Sequence, residues 1–403
     1  MCTEPVSGYL DFCTLYGFFA GFVTDEMGWL AFLLAAATLS FIVINSVIAA
    51  TAVYTWFERR GIARFQNRLG PNRWGPFGLF QPLADILKLI SKEDTIPDVA
   101  DRPAFTIAPI VFLAPTLLVF AVIPFGEHSF LGKLNIGALF IVGVTAVNTI
   151  AIIMAGWGSR NKYALFGTMR SVAMLISYEV PMALALAGVV IMSGSLALVE
   201  IVDRQSLPFL LTQPLGFLVF MAAASAEMSR TPFDMIESES ELGGGYNTEY
   251  SGIKFAILQL AEFMAPLVTA AVTTVLFLGG TNGFEPIPGQ VWFVGKVFLV
   301  VVVLLWVRAT WPRLRVSQIM GFAWKALFPL ALINMFAISV EVVVLQGIND
   351  GEISVGEMWI IAAINWILTV ASIVGISDLL GQRRIRRVEP IPSNLANMYA
   401  ETD

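Results

Sequence analysis

The stretch Arg230 to Gly252, RTPFDMIESESELGGGYNTEYSG, holds Asp234, Glu237, Glu239, Glu241 and Glu249, with Glu227 just before it. Two further carboxylates stand in strongly apolar sequence, Glu179 in ISYEVP and Glu262 in LQLAEFMAP. Ionisable groups in an apolar medium are costly, so each needs a partner or a task. The chemistry open to these groups is proton exchange. A carboxyl in low dielectric resists ionisation, and so trades protons closer to neutral pH than one in water. Several close together titrate as one coupled set, because like charges discourage simultaneous ionisation. Such a set relays or senses charge. The bland alternative is solvated acids, or acids paired with basic groups such as Arg59 and Arg68. It is the better reading for any single loop acid and the poorer one for Glu179 and Glu262.

Other chemistries find no residues. Cys2 and Cys13 are the only cysteines and His128 the only histidine. That argues against an iron–sulfur cluster, haem or structural zinc held by this chain. No phosphate-cradling glycine motif is present, so no flavin or nucleotide is expected. No polybasic run marks nucleic-acid binding. Redox carriers, if the function involves electrons, must sit on partners.

The elements that position the acids follow from composition. The 403 residues are 57% hydrophobic and 13% charged, with a mean hydropathy of +0.76. Soluble domains carry about a quarter charged residues. Apolar windows long enough to cross a bilayer recur along the chain. The fold class is all-α: a polytopic membrane protein of about nine transmembrane helices, at 29–57, 104–124, 137–157, 172–194, 207–228, 254–280, 291–312, 324–347 and 357–381. Pro208 and Pro214 interrupt the start of the fifth. A 1–28 segment precedes the helical domain, 29–381, and a basic tail, 382–403, follows. The first 28 residues contain no Lys or Arg, unlike a signal peptide.

One set of loops carries nearly all the basic residues, from Arg59, Arg60, Arg64, Arg68 and Arg73 to Arg383, Arg384, Arg386 and Arg387. The other set holds only Lys133 and Arg204. The positive-inside rule then places the N-terminus outside and the C-terminus in the cytoplasm. The first basic loop contains LFQPLADILKLISK, with Leu79, Leu83, Ile86, Leu87 and Ile90 at helical spacing. This predicts an amphipathic helix at the membrane interface, with a soluble capping helix as the competing reading.

Glu179 and Glu262 each lie seven or eight residues into a span entered from the cytoplasm, roughly 10–12 Å deep. Glu227 and Glu58 end spans near that surface. The expected geometry is a file of acids leading from the cytoplasmic mouth toward mid-membrane. Beyond it the outer half offers only Lys296 and Glu341, so a complete path through this chain alone is not expected.

Four stretches carry a resemblance. ERRGIARFQNRLGPNRWGPFGLFQPLADILKLISKE (58–93), SRNKYALFGTMRSVAMLISYEVP (159–181), AEMSRTPFDMIESESELGGGYNTEYSG (226–252) and RATWPRLRVSQIMGFAWKALFPL (308–330) together resemble the family of H subunits of proton-pumping NADH:quinone oxidoreductases, respiratory complex I, of bacterial type. The resemblance implies a multi-pass component of a prokaryotic cell membrane that forms the quinone entry chamber and couples quinone reduction to proton translocation. Quinone is then the substrate. Implied partners are the hydrophilic quinone-site and iron–sulfur subunits, antiporter-like membrane subunits, and the lipid itself. Carried onto this sequence, the proton-coupling acids are Glu179, Glu227, Glu262, Asp234, Glu237, Glu239, Glu241 and Glu249. The quinone-binding set is Glu58, Arg59, Arg68, Asp85, Arg170, Arg230, Phe233, Arg308 and Arg313.

Two positions depart from the family pattern. Met174 stands where relatives usually carry glutamine, and Gly243, Gly244 and Gly245 replace a bulkier tripeptide. Competing functional classes are a related subunit serving a hydrogenase-type donor, an autonomous proton or ion transporter, and a purely structural anchor.

Overall fold

The computed structural model describes residues 12–21, 28–126, 134–234, 244–284, 286–348 and 355–385. Among them every regular element is helical. In chain order these are α1 (Phe12–Ala20), α2 (Gly28–Phe65), α3 (Gln81–Ser91), α4 (Arg102–Phe120), α5 (Gly137–Gly158), α6 (Lys162–Ser193), α7 (Leu198–Asp203), α8 (Phe209–Thr212), α9 (Pro214–Glu227), α10 (Gly252–Phe277), α11 (Gly289–Thr310), α12 (Val316–Phe322), α13 (Phe328–Ile348) and α14 (Val355–Ile385). A π-helical turn, Ala323–Leu327, joins α12 to α13.

Eight of these helices are long and apolar enough to cross a bilayer. The remaining expected span, 207–228, is shorter than foreseen. It is split at Gln213 into α8 and the 14-residue α9. The cause is Pro214, which has no N–H to donate and restricts the residue before it. Gln213 accordingly sits at φ −131, ψ 59. Two other boundaries also differ. α2 runs past its apolar part to Phe65, and α6 begins at Lys162, ten residues before the apolar window.

The bundle is apolar both inside and out. Val119, Phe120 and Ile123 within and after α4 meet Tyr178, Met182 and Val189 of α6, Val219 and Phe220 of α9, and Val272, Leu276 and Phe277 of α10 in one core. Outward, Phe298, Trp306, Phe336, Val343, Ile360 and Ile367 are all largely exposed. In water such a surface would aggregate; facing acyl chains it is the ordinary state. This is an integral, multi-pass membrane protein. On α3 the residues Leu83, Leu87 and Ile90 are exposed, while Pro82 is buried against the bundle. An apolar stripe left open to the surroundings fits an interfacial helix better than a soluble cap.

Met174, one of the two family departures, is buried in this core. The other departure has a packing reason at Gly245. Its φ is +60, and a Cβ on Gly167 of α6 would stand 2.9 Å from its Cα. Glycine therefore lets the 244–252 segment lie directly on α6. Substituting Gly167→Val forces this contact apart. The expected cost is about 1–3 kcal/mol, read as a lower unfolding midpoint of the detergent-solubilised protein. An unchanged midpoint would show that the segment does not depend on the contact.

Candidate functional site

Three helices bring the intramembrane acids together. α6 carries Glu179, α9 ends on Glu227 and α10 carries Glu262, and all three line one cavity. Thr145, Asn148 and Thr149 of α5, Ser229 after α9, and Tyr246 supply its other polar walls, with Phe112, Val119, Ile152 and Val268 among the apolar ones. About 60 Å³ is open to the centres of water molecules, enough for a few waters. Glu179 accepts a hydrogen bond from Thr149 Oγ1 at 3.1 Å. Glu262 accepts one from Gln259 Nε2 at 3.4 Å.

Glu262 is not the unpaired acid that its depth implied. Its Oε1 lies 3.9 Å from Arg230 Nη1, which is also 3.7 Å from Glu58 Oε1. Glu58 pairs in turn with Arg308 of α11. Glu58, Arg230 and Glu262 are 2%, 8% and 7% exposed. Two carboxylates and two guanidiniums thus form one formally neutral cluster, buried except at Arg308, whose side chain is 26% exposed. Pro266 contributes locally. It has no N–H, so the carbonyl of Glu262 four residues earlier lacks its helical donor. Arg230 Nη2 donates to that carbonyl at 3.5 Å. The same guanidinium lies 4.8 Å from the ring centre of Phe263, within cation–π range.

A second cavity, of about 220 Å³, opens between α2, α3 and α10. Ile48, Thr51, Ala52 and Thr55 of α2, Ile86 and Leu89 of α3, and Phe255, Leu260 and Phe263 of α10 line it. Its polar end is an ion pair, Arg59 Nη1 to Asp85 Oδ2 at 2.5 Å, supported by Gln81 Nε2 to Asp85 Oδ1 at 3.3 Å. α10 is the wall between the two cavities. Gln259, Leu260 and Phe263 face this groove, while Ala261, Glu262 and Ala265 face the acid cavity. The Gln259–Glu262 bond and the Arg230–Phe263 contact cross that wall.

Other expected site residues lie away from the acid cavity. Glu249 accepts from Asn161 Nδ2 at 2.6 Å. Asn161 is the N-cap of α6, its Oδ1 taking the Tyr163 N–H at 2.9 Å. Phe233 is buried between Tyr178 and Phe322, with ring centroids 5.2 and 6.1 Å away. Asp234 is half-buried beside it. Arg68 is exposed and donates to Gln66 Oε1 at 2.7 Å. Arg170 is half-buried on α6, Arg313 is exposed after α11, and neither lines either cavity. Glu237, Glu239 and Glu241 lie outside the described residues.

Sequence reasoning missed the neutral polar residues. Thr145, Asn148 and Thr149 stand at i, i+3 and i+4 on an otherwise apolar helix, a helical-period stripe that carried the signal. The Tyr250 hydroxyl, just before α10, donates to the carbonyl of Phe105 at 3.2 Å, and the two rings stack at 4.1 Å. Burial pushes this phenol above its ordinary range, so at neutral pH it stays protonated and keeps that bond.

The model of the family described as NADH dehydrogenase matches residues 37–339. The H subunit of the NADH-quinone oxidoreductase of Dehalococcoides mccartyi (strain CBDB1) is 50% identical over 309 residues, covering 76% of this chain and 87% of that protein. The corresponding H subunit of Anoxybacillus flavithermus is 48% identical over 286 residues, 69% and 85% of the two chains. One from Syntrophobacter fumaroxidans is 44% identical over 320 residues, 77% and 96%. With the match running through the helices that carry Glu58, Glu179, Glu227, Glu262 and Arg308, the chain belongs to the NADH dehydrogenase family.

Proposed function

We propose that this chain is the membrane subunit of an NADH:quinone oxidoreductase that admits quinone along the groove between α2, α3 and α10. On this reading it couples quinone reduction to proton translocation through the acid cavity. The observation that carries the reading is the shared wall: one helix presents Phe263 and Gln259 to the groove and Glu262 to the carboxylates. The groove is apolar along its length and charged at one end. That suits a quinone, whose tail is hydrocarbon and whose headgroup is polar. Electrons come from partner subunits, because two cysteines and one histidine give this chain no ligand set for a redox centre.

Reducing a quinone to a quinol takes two electrons and two protons. Until the protons arrive, the headgroup carries negative charge. A helix is about 10 Å across. At an effective dielectric of about 20, a unit charge acts across that distance with about 1.7 kcal/mol. One pKa unit is about 1.36 kcal/mol, so the charge changes proton affinity more than tenfold. Arg230, 4.8 Å from the ring centre of Phe263 on the groove wall and 3.9 Å from Glu262, sets how the field is shared. Movement of its guanidinium between Glu58 and Glu262 redistributes charge without adding any. Glu227 and Glu179 on the same cavity then change proton occupancy as a coupled set, with waters or the Thr149 hydroxyl as intermediaries.

On this reading the loop acids Asp234, Glu237, Glu239, Glu241 and Glu249 belong to the same proton-coupling set, and the basic face is the docking face. There the hydrophilic quinone-site and iron–sulfur subunits dock. The antiporter-like subunits receive the charge displacement laterally. The chain lies in the prokaryotic cell membrane with its N-terminus outside and C-terminus in the cytoplasm. Purified chain in liposomes distinguishes an autonomous transporter, which would carry protons unaided.

Two substitutions test the proposal in the assembled complex. Glu179→Gln keeps shape and removes the titrating group. Proton translocation in proteoliposomes, followed with a pH-sensitive dye, is expected to fall ~10-fold or more. Wild-type translocation in both Glu179→Gln and Glu262→Gln would remove the acid cavity from the mechanism. Ala52→Phe fills the groove. The KM for quinone is expected to rise about tenfold, equivalent to about 1.4 kcal/mol, while NADH oxidation by a water-soluble acceptor is unchanged. An unaltered KM would place quinone entry elsewhere.

A further inference from the structure

A third cavity lies on the other flank of α2 and plays no part in the quinone reading. It holds about 330 Å³ and is lined by Trp56, Phe57, Arg60, Gly61, Arg64 and Phe77. Trp56, Arg60 and Arg64 recur at four-residue spacing and share one face of the helix. The Arg60 guanidinium lies 5.5 and 5.3 Å from the ring centres of Trp56 and Phe77. The carbonyl of Phe77 accepts from Trp56 Nε1 at 3.0 Å and from Arg60 Nη1 at 3.2 Å. Among the described residues no carboxylate pairs with Arg60 or Arg64.

A second feature is the backbone. Phe77 sits at φ 56, in the left-handed region, between Gly75 at φ 69 and Gly78 at φ 79. A bulky side chain adopts that conformation only where its surroundings impose it, and such residues gather at ligand clamps. Here it delivers both the ring and the carbonyl of Phe77 to one guanidinium, fixing which of its N–H groups remain available.

Height along the helix says what those groups meet. The apolar part of α2 ends at Phe57. Arg60 and Arg64 lie three and seven residues further on, about 4.5 and 10 Å along the axis. The polar layer beside the hydrocarbon is about 5–7 Å deep on each side. Arg60 is therefore within the headgroup layer and Arg64 reaches over its outer edge. Trp56 stands at the boundary that tryptophan prefers. Below it, Phe57 and Phe298 of α11 pack at 5.4 Å, and Phe298 is largely exposed, a surface for acyl chains.

The geometry points to a binding site for an anionic phospholipid, its phosphate held by Arg60 and Arg64 and its chains running past Phe57 and Phe298. A basic pocket at this level is the usual form of such a site. An acidic peptide of a soluble partner fits less well, because half of the pocket wall lies at the hydrocarbon boundary.

The test uses the intact complex in nanodiscs and a phosphatidylglycerol with a photoreactive acyl chain. Irradiation should label the peptides around 56–64 and 298–305. Unlabelled phosphatidylglycerol should compete, and phosphatidylcholine or inorganic phosphate should not. Arg60→Gln with Arg64→Gln should weaken apparent affinity about 30-fold, roughly five- to six-fold per arginine. The double lysine variant should keep most of it. If the double glutamine variant does not assemble, Arg64→Gln alone, at an exposed position, should show the single-arginine loss. Equal competition by phosphatidylcholine would mean ordinary surrounding lipid, and competition by phosphate a free-anion site. Absence of labelling in the wild-type complex would mean that a partner covers the pocket. Unchanged affinity in the variants would mean that the arginines do not hold the lipid. Each of these four results overturns the proposal.

Discussion

The structure is organised around a charge problem. Taking an ion out of water costs several kcal/mol even after relaxation, and the attraction of a partner repays this only in good geometry. Glu58, Arg308, Arg230 and Glu262 meet it by standing together as two opposite-charge pairs, three of them buried and Arg308 partly exposed. Their carriers are α2, α11, the connection after α9, and α10. Removing Arg230 from between Glu58 and Glu262 would leave a buried charge without its partner, which costs about 3–5 kcal/mol. The cluster therefore ties α10 to α2, and with it sets the wall between the α2–α3 groove and the acid cavity.

The acid cavity itself is built differently. Glu179 is met by a threonine hydroxyl, and the neighbouring walls offer amide and hydroxyl groups instead of cations. Neutral partners stabilise either protonation state of a carboxyl, whereas a guanidinium favours only the ionised one. The cavity thus sets one acid tied to a salt-bridge cluster, Glu262, beside Glu179 and Glu227, which form no ion pair among the described residues. The proposed relay draws on that asymmetry.

Away from the acid cavity, ionisable and amide groups serve architecture. Lys296 Nζ donates to the carbonyls of Gly280 and Asn282 at 3.0 and 2.6 Å, tying α11 to the turn that follows α10. Gln205 binds the same region through the carbonyl of Val275 and the N–H of Gly279. Glu341 of α13 accepts from Asn365 of α14 at 2.8 Å, and Asn365 also donates to the carbonyl of Thr212 at the α8–α9 break. Lys296, Gln205 and Asn365 satisfy backbone atoms that interrupted helices leave without helical partners. Neither Lys296 nor Glu341 lines the acid cavity.

The sequence by itself determined the membrane class, the placement of most spans and the identity of the acids, because hydropathy over about twenty residues and charge in an apolar run are local properties. It also marked Pro208 and Pro214 as interrupting the start of the fifth span. Tertiary structure alone decided the partners. Glu58 and Arg308 are far apart in the chain, so nothing in their spacing announces an ion pair. Tertiary structure also decided that Glu249 bonds to the helix-capping Asn161 and stays out of the cavity. The same holds for the division of α10 into two faces. Which side of a buried helix meets the α2–α3 groove and which meets carboxylates is set by its neighbours, because a helix apolar nearly all round has no outward face of its own.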